Sequence, residues 1–146
     1  MLKKKSLKQI DLKGKKALVR VDFNVPLDSS GQITDDTRIR ATLPTINHIL
    51  DSGGSVIIMS HLGRPRGNPV PSMSLLRVSK RLARLLKLEV KFAPDCIGQE
   101  VRKAADELQP GEVLYACVRW CWFAGPAQEA TFCAAARDSS QDPSAA

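Results

Sequence analysis

The amino-acid sequence predicts an α/β fold built on an open parallel sheet of alternating strands and helices. Short, apolar, β-branched runs recur along the chain, and segments with helical spacing of apolar residues separate them. Strands that alternate with helices in this way form parallel sheets with helices on their faces. Such sheets bind ligands at the carboxyl ends of the strands. We therefore look for functional groups in the loops that follow the predicted strands.

The first predicted unit is a strand, a loop and a helix. Lys16–Val21 is apolar and β-branched between polar flanks, which is typical of a buried strand. A loop with turn-forming residues follows, and it supplies suitable N-caps for a helix that runs to about Asp51: Thr34, Asp35 and Asp36. Gly53 should end that helix. Its expected apolar face consists of Ile39, Leu43, Ile46, Ile49 and Leu50.

Two further strand and helix units follow, and a fourth strand begins at Glu112. The second and third strands are predicted at Ser55–Met59 and Glu89–Ala93. Apolar residues at helical spacing predict the second helix at Leu75, Val78, Leu82, Leu85 and Leu86. The third helix is predicted at Ile97, Val101, Ala104, Ala105 and Leu108, and it should stop at Pro110-Gly111. The complete predicted order is β-α-β-α-β-α-β.

Composition favours a single soluble domain with an anionic partner. The chain has 146 residues, is 43% hydrophobic and carries a formal net charge of +7. A positive surplus favours phosphorylated metabolites, nucleic acid or acidic membranes. Nucleic acid is not expected as a partner, because aromatic residues are only 5%, the basic residues are dispersed and no recognition motif is present. No apolar run is long enough to span a membrane, so no membrane partner is expected either.

The N-terminus and the cysteines indicate a cytoplasmic protein without a metal site. The basic residues Lys3–Lys5 are not followed by an apolar segment, as a secretory signal peptide would require. The four cysteines are interpreted as free thiols in a reducing compartment. Cys117 and Cys121 are four residues apart, but no second pair at zinc-ligand spacing completes a site.

Cations cluster in the segments expected at the ligand edge of the sheet. Arg20 ends the first strand, Arg38 lies in the first turn of the first helix, and Arg64 lies close to His61 after the second strand. The planar guanidinium of arginine suits phosphate and carboxylate groups. A cation at a helix N-terminus opposes the helix dipole. Arg38 therefore indicates a nearby anion, unless Asp35 and Asp36 already compensate the charge of Arg38. The arginines Arg66 and Arg77 are interpreted as solvating charges.

The other candidate residues allow more than one interpretation. Asp22 and Asn24 follow the first strand and point the same way, so they either bind sugar-like hydroxyls or cap their own loop. His61 is equally suited to ligand binding and to a position in the core where its ring nitrogens are hydrogen-bonded. No catalytic Ser-His-Asp or Cys-His arrangement and no Walker-type glycine loop is recognisable. The sequence thus predicts an anion-binding edge without a nucleotide site of its own.

Four segments, in order, resemble the signatures of phosphoglycerate kinases. The first is Val19–Pro26, and the second is Ile33–Arg40 continued by Leu43–Ile46. The third is Met59–Pro65, and the fourth joins Val90–Phe92 to Asp95–Gly98. The resemblance covers about residues 8 to 114. It implies a glycolytic, cytoplasmic, monomeric two-domain kinase that transfers phosphate between 1,3-bisphosphoglycerate and ADP, giving 3-phosphoglycerate and ATP.

The resemblance also implies roles for individual residues. Asp22 and Asn24, with Phe23 between them, would bind the glycerate. His61, Leu62, Gly63 and Arg64 would form a second substrate-binding segment. Arg38 would neutralise the transferring phosphoryl group as the catalytic residue. Arg20 would support the basic patch.

In this family the N-terminal domain, a Rossmann-like half, binds phosphoglycerate, and the C-terminal domain binds magnesium with ATP or ADP. The resemblance therefore implies a partial N-terminal domain at residues 1–114, no nucleotide-binding domain and no cofactor bound by the residues present. Residues 115–146 are predicted to be an aberrant, disordered tail, explained by truncation or a frameshift. Arg119 only faintly matches a further substrate arginine. A fragment that only binds phosphoglycerate or another small anion is the alternative.

Overall fold

The computed structural model describes residues 6–60, 62, 74–93 and 98–117. A short 3-10 turn at Leu7–Gln9 precedes the first strand. The strands and helices are β1 (Lys16–Arg20), α1 (Thr37–Asp51), β2 (Ser55–Ser60), α2 (Leu76–Leu86), β3 (Val90–Ala93), α3 (Gln99–Asp106) and β4 (Val113–Cys117). The predicted alternation is confirmed, and most predicted ends lie within one or two residues of the observed ones.

The four strands form one sheet in the order β1-β2-β4-β3, with every neighbouring pair parallel. Lys16 lies opposite Ser55 on β2, and Val113 on β4 lies opposite both Val56 and Val90. The predicted fold class is confirmed. Because all strands run the same way, their carboxyl ends meet at one edge, which we call the carboxyl edge.

Helices cover the two faces of the sheet unequally. The helices α1 and α2 pack on one face, over Val56, Ile58, Val113 and Tyr115. The helix α3 packs on the other face, where it contacts β3 and β4. Strands β2 and β4 are buried on both sides, which explains why their sequences are almost continuously apolar.

The apolar faces of the helices are largely those that the sequence predicts. In α1, Ile39, Ile46 and Ile49 are buried, and the two predicted leucines are partly buried against the same core. In α2, Val78 and Leu82 are fully buried. The burial of these spaced residues confirms that periodic apolar residues locate the core face of each helix.

The end of α1 is a Schellman motif centred on Gly53. The amide of Gly53 donates to the carbonyl of Leu50 at 2.9 Å, and the amide of Gly54 donates to the carbonyl of Ile49 at 3.0 Å. Gly53 has φ +79°, a conformation that glycine adopts without steric cost. The predicted stop at this glycine is confirmed, and it turns the chain directly into β2.

Strand β4 extends past the predicted domain boundary at residue 114. It continues through Tyr115 and Ala116 to Cys117, and the first two of these side chains are fully buried. The described sheet therefore includes three residues beyond residue 114, and the domain boundary itself stays a prediction. The central position of β4 in the sheet buries Tyr115 beneath α1 and α2. Residues 118–146 lie outside the described residues, so a tail there stays a prediction.

Candidate anion-binding site

The carboxyl edge brings together three of the residues that the sequence singles out. Asp22 and Asn24 follow the end of β1, and Arg38 is the second residue of α1. Arg20 is the exposed last residue of β1, directly before this group. Parallel topology thus places a carboxylate, an amide and a guanidinium at the position where open α/β sheets bind ligands.

Asp22 forms the centre of this group. One of its carboxylate oxygens, Oδ2, accepts a hydrogen bond from Nη1 of Arg38. The other, Oδ1, accepts from the backbone amide of Asn24 at 3.2 Å. The sequence left open whether Asp22 caps its own loop, and the structure shows that it does so while it also holds Arg38. The side chains of Arg38 and Asp22 remain 54% and 60% exposed, so both are accessible to a ligand.

Phe23 anchors the loop between Asp22 and Asn24. Its amide donates to Oγ of Ser60 at 3.0 Å, and its ring is fully buried. The ring stacks on that of Tyr115, with centroids 6.1 Å apart and an angle of 24° between the planes. The resemblance places Phe23 among the substrate-binding residues, and that role stays a prediction. The buried ring fixes the position from which the two neighbours of Phe23 face outward.

Leu62 is also a core residue. Its side chain is only 6% exposed and belongs to the core cluster beneath α1 and α2. A side chain in that position stabilises the fold, and the substrate-binding role that the resemblance implies for Leu62 stays a prediction. The other members of the predicted second segment, His61, Gly63 and Arg64, lie outside the described residues, as do Arg66 and Arg119.

The acidic residues before α1 have partners other than Arg38. Asp35 accepts from the hydroxyl of Thr37 at 2.6 Å and from its amide at 2.8 Å, and these bonds lower the pKa of Asp35 below its ordinary value. Asp36 binds Arg40, at 2.8 Å, and Arg81. Hydrogen bonds from Arg40 and then Arg81 lower the pKa of Asp36. Asp22 is therefore the carboxylate that is hydrogen-bonded to Arg38.

Sequence reasoning missed two contributors to this architecture. Ser60 accepts the hydrogen bond of the Phe23 amide. The sequence contains a signal for this contact. Because residues 56 and 58 of β2 face the α1 and α2 core, strand alternation places the polar Ser60 at a core-facing position too. A buried hydroxyl there indicates a nearby backbone donor. Arg81, which binds Asp36 with Nε at 2.9 Å and Nη2 at 2.6 Å, has no local signal because 45 residues separate the pair.

Neither a metal cluster nor a membrane span is found in the described ranges. No group of three or more His, Cys, Asp or Glu side chains there is arranged to hold a metal ion. None of the helices in the same ranges combines the length and the apolarity that crossing a bilayer requires.

Comparison with known proteins decides the family. The family model described as "Phosphoglycerate kinase" matches residues 7–121. The chain belongs to the phosphoglycerate kinase family. This confirms the sequence resemblance and extends it past residue 114, in agreement with the observed length of β4.

Individual relatives support the same family. A phosphoglycerate kinase of Aquifex aeolicus is 55% identical over 114 residues, which is 78% of this chain and 28% of that protein. A phosphoglycerate kinase of Geobacter metallireducens is 62% identical over 103 residues, which is 70% of this chain and 26% of that protein. The chain thus spans about a quarter of the length of these curated relatives.

Solved structures with the same fold belong to the same family. The crystal structure of a phosphoglycerate kinase from Pyrococcus horikoshii superposes with a TM-score of 0.71 at 30% identity, covering 81% of this chain and 28% of that one. A phosphoglycerate kinase structure from Coxiella burnetii superposes with a TM-score of 0.65 at 32% identity, covering 78% of this chain. The chain is therefore a partial, N-terminal portion of this kinase fold.

Proposed function

We propose that this chain forms the phosphoglycerate-binding part of a phosphoglycerate kinase. The complete reaction transfers a phosphoryl group between 1,3-bisphosphoglycerate and ADP and gives 3-phosphoglycerate and ATP. The observation that carries the proposal is the exposed pair of Arg38 and Asp22 at the carboxyl edge, in a chain that belongs to this kinase family. A cation and hydrogen-bonding groups at that edge suit a small phosphorylated hydroxy acid.

Arg38 neutralises the phosphoryl group. A guanidinium carries five N–H donors, and the hydrogen bond to Asp22 uses one nitrogen, Nη1. The remaining donors are available for phosphate oxygens. Asp22 holds the planar group in place before substrate arrives, so less side-chain freedom is lost on binding. Phosphoryl transfer depends on positioning and on stabilisation of negative charge, and this arrangement supplies both.

Asp22 and Asn24 hold the glycerate part of the substrate. The Asp22 carboxylate accepts a hydrogen bond from the substrate hydroxyl, and the Asn24 side-chain amide donates to a substrate oxygen. Both residues are exposed and separated by the buried Phe23, which keeps them on the same side of the loop.

The other proposed substrate contacts come from the ends of the strands. Arg20 adds positive charge at the end of β1. His61, Gly63 and Arg64 follow β2 and form the second contact segment, while Leu62 anchors it through the core. Arg119, which follows β4, is proposed as a further substrate arginine. We further propose a monomeric cytoplasmic enzyme of glycolysis without nucleic-acid or membrane partners.

The nucleotide and its magnesium are assigned to the C-terminal half of the family's fold. Because this chain spans about a quarter of its relatives' length, we propose that the 146-residue polypeptide supplies substrate binding and depends on that other half for turnover. A coupled assay of the purified chain should then show no ATP formed from 1,3-bisphosphoglycerate and ADP. Formation of ATP would overturn the proposal that turnover requires the C-terminal half.

Calorimetric titration of the full chain with 3-phosphoglycerate tests the binding proposal. We expect measurable binding, and we expect Arg38→Ala to weaken it at least about tenfold, because a charge-assisted bidentate contact is lost. Arg102→Ala removes an exposed arginine from α3, on the opposite face of the sheet, and is the matched control. Absence of binding by the parent chain, or equal losses in the two variants, would contradict the proposal.

A further inference from the structure

A second group of cations lies in a cleft between α2 and the loop that follows β1. We call it the α2 cleft. Its volume is about 420 Å³, and it is lined by the loop segment Ser30–Ile33 and by four cations of α2, Arg77, Lys80, Arg81 and Arg84. None of these residues belongs to the proposed phosphoglycerate site. No carboxylate is among them, so four positive side chains share one concave surface.

The four cations occupy one face of α2. Arg77, Lys80, Arg81 and Arg84 stand at positions i, i+3, i+4 and i+7, which lie above one another on a helix. They extend over about 10 Å along the helix axis, from a rise of 1.5 Å per residue. Like charges at these spacings repel one another. A cleft with charges of one sign concentrates counter-ions of the other.

Two of the cations are held in fixed positions by the protein. Nη1 of Arg77 donates to the carbonyl of Gly31 at 2.5 Å and to that of Ser30 at 3.3 Å. The approach depends on glycine, because a Cβ at Gly31 would lie 1.3 Å from the same nitrogen. Arg81 is held by Asp36, which it binds with Nε and Nη2. These contacts orient both guanidinium groups before any ligand is bound.

The other two cations have no partner in the part of the chain that the structure describes. Lys80 and Arg84 are exposed, and neither forms a hydrogen bond or an ion pair with any described residue. Among the residues that the structure describes, Asp36 is the only carboxylate bound to a cation of the cleft, and Arg40 shares it. The positive charge of the cleft is therefore largely uncompensated within the described residues.

We propose that the α2 cleft binds a compact polyanion of linked phosphate groups. Several phosphates in a row match several cations along one helix face, whereas a single phosphate engages only part of that row. The described residues of the lining include no aromatic side chain on which a nucleobase could stack. The ligand is thus recognised through its phosphates, either as inorganic polyphosphate or as the phosphate tail of a nucleotide.

Titration of the full chain with inorganic tripolyphosphate tests this proposal. We expect saturable binding that Lys80→Gln combined with Arg84→Gln weakens at least about tenfold, since charge-assisted bonds are lost. Lys8→Gln combined with Lys13→Gln removes the same charge from exposed positions away from the cleft and should change binding less than about twofold. Arg38→Ala should also leave it unchanged, which separates the cleft from the phosphoglycerate site.

Two further measurements strengthen the test. Tripolyphosphate should shift the amide NMR signals of Ser30–Ile33 and α2 in the parent chain, and orthophosphate should bind more weakly. If ATP binds as tightly as tripolyphosphate, the phosphate tail of a nucleotide is a source of the ligand. If ATP binds more weakly, the ligand is inorganic polyphosphate. Equal losses in the two double variants, orthophosphate binding as tight as tripolyphosphate, or binding of ATP without tripolyphosphate would overturn the proposal.

Discussion

The guanidinium of Arg38 is hydrogen-bonded to the carboxylate of Asp22, sixteen residues earlier in the chain. The contact joins the first turn of α1 to the loop after β1 at the carboxyl edge. Both side chains are more than half exposed, so water screens their attraction. The pair therefore orients the Arg38 guanidinium at the surface and contributes little to the stability of the fold.

Replacement of Asp22 by Asn should separate these two effects. The free energy of unfolding should change by less than about 1 kcal/mol, because exposed ion pairs stabilise proteins only weakly. Binding of 3-phosphoglycerate should weaken several-fold, because the neutral amide has one acceptor oxygen in place of two and holds Arg38 less firmly than the carboxylate does. Urea denaturation and calorimetry measure the two quantities. A large loss of stability with unchanged binding would show that the pair is structural.

Ser60→Ala should destabilise the fold by about 1–3 kcal/mol, because it leaves the buried amide of Phe23 without its acceptor. The measurement is the urea-induced unfolding transition. Ser74→Ala is the control, since the one hydrogen bond of that hydroxyl within the described ranges is a long 3.3 Å bond from the exposed amide of Leu76. The control should change stability by less than about 0.5 kcal/mol. Equal effects in the two variants would mean that Ser60 does not anchor the loop.

Asp36 should make stability depend on pH in the acidic range. Hydrogen bonds from Arg40 and Arg81 hold the pKa of Asp36 below its ordinary value of 3.8 in the folded protein. A lowered folded-state pKa contributes stability that is fully present above 3.8 and is lost as the pH falls through the folded-state value. The parent chain should therefore exceed Asp36→Asn in stability at pH 7 and at pH 5.

That difference should shrink as the pH falls below 3.8, because protonation removes the charge from the parent chain as well. Urea denaturation of both proteins at several pH values measures it. Asp11→Asn is a control at an exposed carboxylate whose only described ion pair, with Lys15, is long at 3.9 Å. A parent-to-variant difference that stays constant to the lowest pH would contradict the assigned role of Asp36.

Gly53→Ala should destabilise the protein by about 1–2 kcal/mol, because the residue must keep a left-handed conformation. Space is not the cause, since an added Cβ would lie 3.6 Å from Cγ of Lys13, an ordinary contact. Gly53→Asn should cost less, because asparagine tolerates this conformation better than alanine. Thermal unfolding of the two variants gives the order, and a reversed order would exclude backbone strain as the reason.

Leu62→Ala should destabilise the fold by about 2–5 kcal/mol, because it removes a nearly buried core side chain. Leu62→Met keeps most of the volume and should cost less than about 1.5 kcal/mol. If Leu62 acts only through packing, Leu62→Met should also keep the affinity for 3-phosphoglycerate. Loss of affinity without loss of stability would instead support a substrate-binding role for Leu62.

Much of the fold was predictable because the signals that specify it are local. The apolar run of β2 is contiguous, and the spacing of Ile39, Ile46 and Ile49 lies within one helix. The stop at Gly53 is likewise encoded by a single residue type. The placement of Asp22 and Arg38 at one edge followed from topology, since parallel strands bring their carboxyl ends together.

The tertiary structure decided which residues of those segments face the surface and which face the core. Phe23 lies between two exposed residues, but its ring is buried because Tyr115, far away in sequence, provides the surface on which it stacks. The Asp36 contact with Arg81 spans 45 residues, and the bond from Phe23 to Ser60 spans 37. Periodicity encodes how one segment folds on itself, whereas contacts such as these exist only after separate segments pack against one another.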